Sequence, residues 1–399
     1  MTTSLAADVP FLNIADPNFS VRGPEARAAR EASWYAKTSY GFAILRYDEV
    51  GKLIRDQRLR QGSHAWPAHC GVTTGRFVKW WDGILLNRVG ADHARLRRLV
   101  NGAFSIRLVT SLIPRFEALA NELLDNFIDK GECEFVADFT EPYPTRVVCM
   151  LLGAPAEDWR LMANWSTDIG LALGVTFKQD YDRVEKAFAE LEDYARTLIA
   201  ARTKQPQDDF LSQLVASCLA EQKMTEQELL DMVILLIFGG IDTTRNQLGL
   251  GLLQFIAHPE QWDLLAERPE LGDRAVEEVM RVRPTTTWVT REAMEDIEFQ
   301  GVHIPAGSTV HLLSESAGTD PLKVEDKFDI TAEDRPPHFG FGLGPHHCLG
   351  HFIARADMGV VLKVLPKRIT APQLNGPVPM LPDSGNTGPI RLPIKFQAR

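Results

Sequence analysis

The sequence has few cysteines and no pattern among them. The five residues are odd in number and far apart, and no CxxC pair occurs: Cys70, Cys133, Cys149, Cys218 and Cys348. This spacing excludes a disulfide framework and leaves no ligand set for an iron–sulfur cluster. Scattered free thiols are typical of a reducing compartment, so we expect a cytoplasmic protein.

Basic charge and long apolar segments are also scarce. Lysine and arginine number 43 against 53 acidic residues, so the net charge is −10 and a nucleic-acid partner is not expected. The longest apolar run, Met232 to Gly240, is about half a membrane span. The N-terminus lacks the basic head and apolar core of a signal peptide. No flavin or dinucleotide fingerprint occurs, so we expect neither a membrane anchor nor a built-in electron donor.

The segment FGLGPHHCLG, from Phe341 to Gly350, is rich in glycine and carries a cysteine. Its glycines permit positive φ and the close approach of a bulky group. Apolar residues at helical spacing follow it, so a helix is predicted to begin near Leu349. Cys348 then lies at a helix N-terminus, where the dipole favours an anion, and a thiolate is a soft metal ligand.

Cys348 has three interpretations on these residues alone. It can be a buried thiol beside a turn, a metal-ligating thiolate, or part of a zinc site with His346, His347 and His351. Zinc is disfavoured because structural zinc sites pair two separated ligand clusters, and no second cluster is present.

A long helix is predicted to begin after Thr225, where the pattern T-x-x-E forms a capping box, and to end at Ala257 before His258-Pro259. Two adjacent glycines interrupt its interior at a cost of about 1 kcal/mol each relative to alanine. Such a position indicates a bend or a ligand lying against the helix.

The residues that follow this glycine pair, in the segment GGIDTT, are polar within an apolar helix. Thr243 can simply bond back to the carbonyl of Gly239, and Asp242 can be a satisfied, partly buried carboxylate.

In each of two further pairs, both residues lie on the same face of a predicted helix. His93 and Arg97 are spaced i, i+4 and suit an anionic ligand, although a solvated basic helix has the same pattern. Glu278 and Arg281 are spaced i, i+3 and can form an ion pair, which at a surface contributes less than about 1 kcal/mol.

The rest of the chain is predicted to be mainly helical. We expect helices over 24–37, 47–56, 108–129, 143–152, 158–171, 182–203, from 209 and from 272, strands over 42–47 and 284–291, and loops over 63–90 and 174–181.

These motifs, in this order, closely resemble those of the cytochrome P450 family. The resemblance covers nearly the whole chain and implies one domain over residues 1–399. It implies a mainly α fold with small β-sheets, in which a haem lies between the long central helix and the helix after the Cys loop.

The resemblance also implies roles for individual residues. Cys348 would be the axial ligand of the haem iron, Asp242 would relay protons and Thr243 would steady dioxygen. The other implied haem-binding residues are His93, Arg97, Gly239, Arg291, Phe341, His346 and Gly350. The implied structural ion pair is Glu278 with Arg281 and Arg335. The expected substrate pocket is formed by Trp80, Leu85, Phe238, Thr287, Trp288, Val289 and Thr387.

The implied function is a monooxygenase that uses haem b and O2 to hydroxylate or epoxidise a small apolar substrate. A ferredoxin or flavodoxin with its reductase would supply electrons to a monomer, docking near His347, His351 and the helix of Arg95 and Arg98. Alternatives are peroxide use, dehydration or nitric-oxide reduction on the same fold, or a non-enzymatic haem sensor. One departure from the family pattern is the segment AGTDP, from Ala317 to Pro321, which leaves the local packing there open.

Overall fold

A computed structural model describes residues 9–103, 106–219 and 224–399. The expectation about an N-terminal leader falls on residues 1–8, outside the described residues. The helices described are α1 Pro24–Ala32, α2 Tyr47–Leu53, α3 Trp66–His69, α4 Arg76–Gly83, α5 Gly90–Ala103, α6 Ile106–Asp125, α7 Pro142–Leu152, α8 Trp159–Gly170, α9 Phe177–Lys204, α10 Phe210–Leu219, α11 Glu226–Ala257, α12 Pro259–Glu267, α13 Gly272–Val282, α14 Ser314–Gly318 and α15 His351–Arg368.

The strands are short and form three small sheets. They are β1 Tyr35–Thr38, β2 Gly41–Ile44, β3 Leu59–Gln61, β4 Glu132–Glu134, β5 Trp288–Ala293, β6 Ile297–Phe299, β7 Val302–Ile304, β8 Thr309–Leu313, β9 Ile369–Leu374 and β10 Pro393–Ala398. The largest sheet has the order β1-β2-β8-β5-β3, in which only β2 and β8 pair in parallel. The prediction of a mainly α fold with small sheets is confirmed.

Helix α11 is the central element. Thr225 accepts a hydrogen bond from the Glu228 amide, and the Glu228 side chain accepts one from the Thr225 amide, so the predicted capping box is confirmed. Most side chains of α11 are buried because it packs against α7, α8, α9, α13 and α15. Among the described residues, no helix has both the length and the apolar character needed to cross a bilayer.

Helix α15 begins at His351, close to the predicted start at Leu349. It packs against α6, α12 and α13 as well as α11. The glycine-rich segment before it is therefore held against the helical core at a fixed position.

The prediction of a loop over 63–90 is wrong in its middle. Trp66–His69 and Arg76–Gly83 are helical, and Phe77, Trp80 and Trp81 are buried on one side of α4. These aromatics are spaced i, i+3, i+4, which is a helical period. Because the helix is short and is flanked by glycine and proline, the sequence pattern did not predict it.

Three predicted boundaries are also wrong. The first helix ends at Ala32 rather than residue 37, because β1 starts at Tyr35 and pairs with β2. Helix α9 starts at Phe177 rather than residue 182, so the break before it is short. The strand predicted from residue 284 begins only at Trp288, because the backbone of Thr285 and Thr287 bonds to the C-terminal loop instead.

A buried ion pair joins α13 to the segment before the Cys loop. The Arg281 guanidinium donates to both Glu278 oxygens at 2.7 Å, and Arg335 lies 3.5 Å from the same carboxylate. Arg281 also donates to the Gly318 carbonyl at 2.6 Å. An uncompensated charge at this depth would be strongly destabilising, so the members of the pair depend on one another.

This contact explains the segment from Ala317 to Pro321. A Cβ on Gly318 would lie 2.3 Å from the Arg281 carbonyl oxygen, so only glycine fits there. Thr319 accepts a hydrogen bond from Arg30 of α1 at 2.9 Å. The packing of this segment is therefore supplied by an arginine from the N-terminal region.

Candidate active site

The Cys loop is closed by its own backbone. Gly342 and Gly344 have φ of 66° and 75°, which only glycine adopts without strain. These turns let the Cys348 amide donate to the Phe341 carbonyl at 2.8 Å and the His347 amide to the Gly344 carbonyl at 3.0 Å. The thiol of Cys348 is thus held by a rigid loop just before α15.

The electrostatics of Cys348 differ from the prediction. Burial raises the pKa of its thiol, although the Gly350 amide and the charges of Arg97 and Arg355 act in the opposite direction. A metal cation that binds the sulfur favours loss of its proton.

Four nitrogen-bearing side chains lie near this loop. The rings of His93 and His346 have centroids 4.1 Å apart, and Arg97 and Arg291 act electrostatically on His346. Burial and these neighbours lower the pKa of His346 to about 3. Burial also lowers the pKa of His93, of Arg97 and of Arg291, the last to about 10. Each shift shows that positive charge is disfavoured here.

These groups lack a counter-ion among the described residues. Arg291 is 3% exposed, and its side chain donates to Gln61 and to the Thr290 carbonyl rather than to a carboxylate. Neither Arg97 nor Arg291 forms an ion pair in the described part of the chain, and His93 Nε2 is buried without a partner there. Buried cations require an anion, so this cluster fits a ligand with carboxylates.

The glycines around the cluster leave room for a large ligand. A Cβ built on Gly239 of α11 or on Gly350 would have no other atom within 4 Å. On the adjacent Gly240 it would lie 3.0 Å from Val148. Gly239 therefore faces open space, whereas Gly240 packs against α7. We expected both glycines to make room, but only Gly239 does so.

The polar residues after these glycines are both hydrogen-bonded. Thr243 donates to the Gly239 carbonyl at 2.6 Å, the back-bond that its position in a helix allows. Asp242 is 3% exposed, 3.0 Å from the Arg245 guanidinium, and its second oxygen accepts from the Asn386 amide. Burial raises the pKa of Asp242, and the hydrogen bonds from Arg245 and Asn386 oppose that rise.

Arg245 and Asn386 were not predicted from the sequence. Arg245 is three residues after Asp242 on the same helix, so the i, i+3 spacing was an available signal. Asn386 lies in the C-terminal loop, and nothing local to that loop indicates its partner.

The predicted substrate residues form two groups. Trp80 and Phe238 have ring centroids 6.2 Å apart and share a buried cluster with Leu85. Thr287 and Thr387 are fully buried near the C-terminal loop, and the Thr287 hydroxyl has no partner among the described residues.

Trp288 and Val289 do not face the same space. Strand alternation puts Val289 on the side of Arg291, and a Cβ on Gly342 would lie 4.0 Å from it. Trp288 points the other way and packs against Trp66 and His311, with centroids 6.3 Å and 5.2 Å away. Trp288 therefore belongs to the N-terminal cluster rather than to a wall beside the Cys loop.

Two residues expected near a redox partner have partners within the chain. Arg95 lies 2.6 Å from Glu228 at the start of α11, and its side chain stays partly exposed. His351 is 2.8 Å from Arg355, which in turn bonds to Glu277. Among the described residues, no group of three or more His, Cys, Asp or Glu side chains could hold a metal ion, so the zinc site is not supported.

Comparison with known proteins agrees with this arrangement. A family profile described as cytochrome P450 matches residues 167–368. The chain is 37% identical to luteothin monooxygenase of Streptomyces thioluteus, over 98% of this chain and 97% of that protein. It is 33% identical to mycinamicin IV hydroxylase/epoxidase of Micromonospora griseorubida, over 99% of this chain and 100% of that protein.

The fold has solved counterparts as well. The structure of cytochrome P450 CYP109Q5 from Chondromyces apiculatus superimposes with a TM-score of 0.85 at 29% identity, covering 98% of this chain and 99% of that one.

Proposed function

This chain belongs to the cytochrome P450 family and is a haem-thiolate monooxygenase that uses O2, an organic substrate and a redox partner, and from this premise we propose that Cys348 is the sulfur ligand of a haem b. His93, Arg97, Arg291 and His346 bind the carboxylates of this haem. Gly239 and Gly350, where a Cβ would meet nothing within 4 Å, would leave room for it, and Phe341 would pack beside it.

The observation that carries this assignment is the cluster of two arginines and two histidines. Four buried or half-buried nitrogen-bearing side chains surround the Cys loop, and within the described chain they lack a carboxylate partner. Haem b brings two carboxylates, so its binding supplies the missing counter-ions. The same cluster has no role in a protein that holds only a zinc ion.

The chemistry is divided between the cofactor and the chain. When bound, the haem activates O2 and inserts one oxygen atom into the substrate, and its thiolate ligand favours O–O cleavage. The chain holds the cofactor, excludes water and supplies protons. Asp242 and the adjacent Thr243 hydroxyl, which donates to the Gly239 carbonyl, would deliver protons to the reacting oxygen.

The apolar wall of Trp80, Leu85, Phe238 and Val289 receives the substrate, whereas Thr387 is buried in the C-terminal loop. The substrate is an apolar organic compound that is hydroxylated or epoxidised. Luteothin and mycinamicin IV, named for the two relatives, are the first compounds to titrate. A ferredoxin or flavodoxin supplies the electrons, because the chain carries no flavin or dinucleotide fingerprint.

The proposal extends to the domain and its setting. Residues 1–399 form one cytochrome P450 domain, which acts as a monomer in the cytoplasm. Full-length coverage of two relatives supports the single domain, and the unpatterned cysteines support a reducing compartment.

The test is replacement of the sulfur ligand. Cys348→Ser should abolish the carbon monoxide difference band that a thiolate-ligated haem gives after reduction, because a serine hydroxyl is a poorer donor than a thiolate. Cys133→Ser, which changes another half-buried cysteine on β4, should keep that band. A Cys348→Ser protein with the unchanged band would remove Cys348 as the ligand.

A further inference from the structure

The C-terminal loop is fitted tightly against α11. A Cβ on Gly388 would lie 2.5 Å from the Asn246 side chain, and one on Gly249 would lie 2.5 Å from Pro389. The Thr387 amide donates to the Thr285 carbonyl at 2.9 Å. This loop therefore cannot shift far without disturbing the middle of the central helix.

Asn386 connects the loop to the acidic residue of that helix. It is 7% exposed, and its side-chain nitrogen donates to Asp242 Oδ2. Its side-chain oxygen accepts from the Thr285 hydroxyl. An amide held in this way has a fixed orientation, with its donor end towards the carboxylate.

Arg245 and Asn386 contact different oxygens of Asp242. Arg245 Nη2 is 3.0 Å from Oδ1, whereas Asn386 takes Oδ2. With both donors present, the carboxylate cannot rotate about its side chain. The Asn386 NH2 group can only donate, so it favours the ionised acid.

The elements packed around Asp242 add few other charges. Helix α8 presents Gly170, where a Cβ would lie 3.0 Å from the carboxylate, and the C-terminal loop presents the neutral Asn386. Arg245 is the charged group that acts on Asp242, and Arg245 in turn interacts with Glu141, which lies just before α7. The ionisation of Asp242 therefore depends on Arg245 and on the amides of Asn386 and Asn246, each of which lowers its pKa.

We propose that Asn386 is a positioning residue that orients the Asp242 carboxylate and makes proton delivery depend on the position of the C-terminal loop. This inference rests on the proposed role of Asp242 as proton carrier. Thr387, the next residue, is fully buried, and its hydroxyl donates to the Leu381 carbonyl at 3.0 Å, so it moves together with the loop. A substrate that displaces the C-terminal loop therefore also moves the amide donor of Asn386.

The test compares the Asn386→Leu holoenzyme with wild type. Leucine keeps the branching and the number of heavy atoms of asparagine and removes both hydrogen bonds. We expect roughly tenfold less product per O2 consumed, the effect of losing a hydrogen bond to a charged group. The solvent isotope effect should increase, and substrate affinity measured by spectral titration should stay within about twofold of wild type.

Infrared spectroscopy detects the protonation of the Asp242 carboxylate directly. Infrared difference spectra against pH should show that Asp242 takes up its proton at higher pH in Asn386→Leu than in wild type. This band should be absent in Asp242→Asn. If Asn386→Leu does not fold with haem, Asn386→Ala is measured in the same way.

Asn375→Leu is the matched control. Asn375 also lies near the C-terminus and donates to a carboxylate on a distant element, Glu132, at 3.0 Å, but its partner is on β4. Its replacement should leave product yield per O2 and the isotope effect unchanged.

The double variant separates the possible outcomes. If Asn386 acts through Asp242, then Asp242→Asn with Asn386→Leu should be no worse than Asp242→Asn alone. Wild-type yield in Asn386→Leu, or effects that add in full, would overturn the inference. Wild-type yield in Asp242→Asn would instead refute the proposed proton carrier, and with it the inference that depends on it.

Discussion

Arg291 is a buried guanidinium on β5 whose side chain bonds to an amide and a carbonyl rather than to an acid. Its unfavourable burial is offset only when an anion binds beside it. We predict that Arg291→Leu releases haem roughly tenfold faster than wild type, because a charge-assisted hydrogen bond is lost. Transfer of haem to an excess of a haem-binding scavenger measures this rate.

Arg60 on the neighbouring strand is the control for that measurement. It bonds to Glu292 at 2.8 Å, so its charge is already compensated within the protein. Arg60→Leu should therefore release haem at the wild-type rate. Equal rates for Arg291→Leu and wild type would contradict the proposed contact with a haem carboxylate.

The contacts that could be predicted from sequence are those between residues that are close along the chain. The back-bond from Thr243 to Gly239 and the pair of Glu278 with Arg281 span one helical turn, so spacing alone predicts them. Asn386 could not be found in this way. Its partner Asp242 is 144 residues distant, and the contact exists only because the C-terminal loop returns to α11.

At the scale of elements, the start of α11 depends on its capping box. We predict that Thr225→Ala lowers the local stability of the first turn by about 1 kcal/mol, because the Glu228 amide loses its acceptor. Amide hydrogen exchange in that turn should become about fivefold faster. Thr197→Ala, an exposed mid-helix change in α9, should show no such increase, since alanine is a better helix former.

The elements that could be predicted have a hydrophobic period sustained over many residues or a clear capping motif. Helix α11 has both, and its predicted limits match the observed ones. Helix α4 has only 8 residues, and its aromatic period was hidden by flanking glycine and proline. The start of β5 at Trp288 was also missed, because β-forming residues before it bond to the C-terminal loop, and tertiary context determines that choice.

At the scale of the whole molecule, Glu277 joins three separate parts of the chain. From α13 it contacts Arg355 of α15 at 2.6 Å and His338, just before the Cys loop, at 3.2 Å. Burial alone would raise the pKa of Glu277, but His338 and Arg355 lower it to about 2. The position of the Cys loop relative to the helical core therefore depends on an ionised Glu277.

The direction of the pH effect follows from that lowered pKa. The pKa of glutamate in an unfolded chain is about 4.3. As the pH falls, the unfolded chain therefore takes up this proton at a higher pH than the folded chain does. The stabilising contribution is fully present above that pH and is lost as the pH falls towards 2. We predict that Glu277→Gln lowers the thermal midpoint of the holoenzyme at neutral pH and makes it less sensitive to acid. The difference should be ~1 kcal/mol or less, because the side chain is 45% exposed and water screens the pair.

Glu333→Gln tests whether the effect depends on this network or on surface charge in general. Glu333 pairs at 3.1 Å with Arg274, which lies on α13 as Glu277 does. Both side chains of this pair are well exposed, so it contributes little to stability. Its replacement should leave the dependence of the thermal midpoint on pH unchanged. If Glu277→Gln and Glu333→Gln gave the same pH dependence, the contact of α13 with α15 and His338 would have no special part in holding the Cys loop. A difference confined to Glu277→Gln, largest near neutral pH and vanishing in acid, is the outcome that the geometry requires.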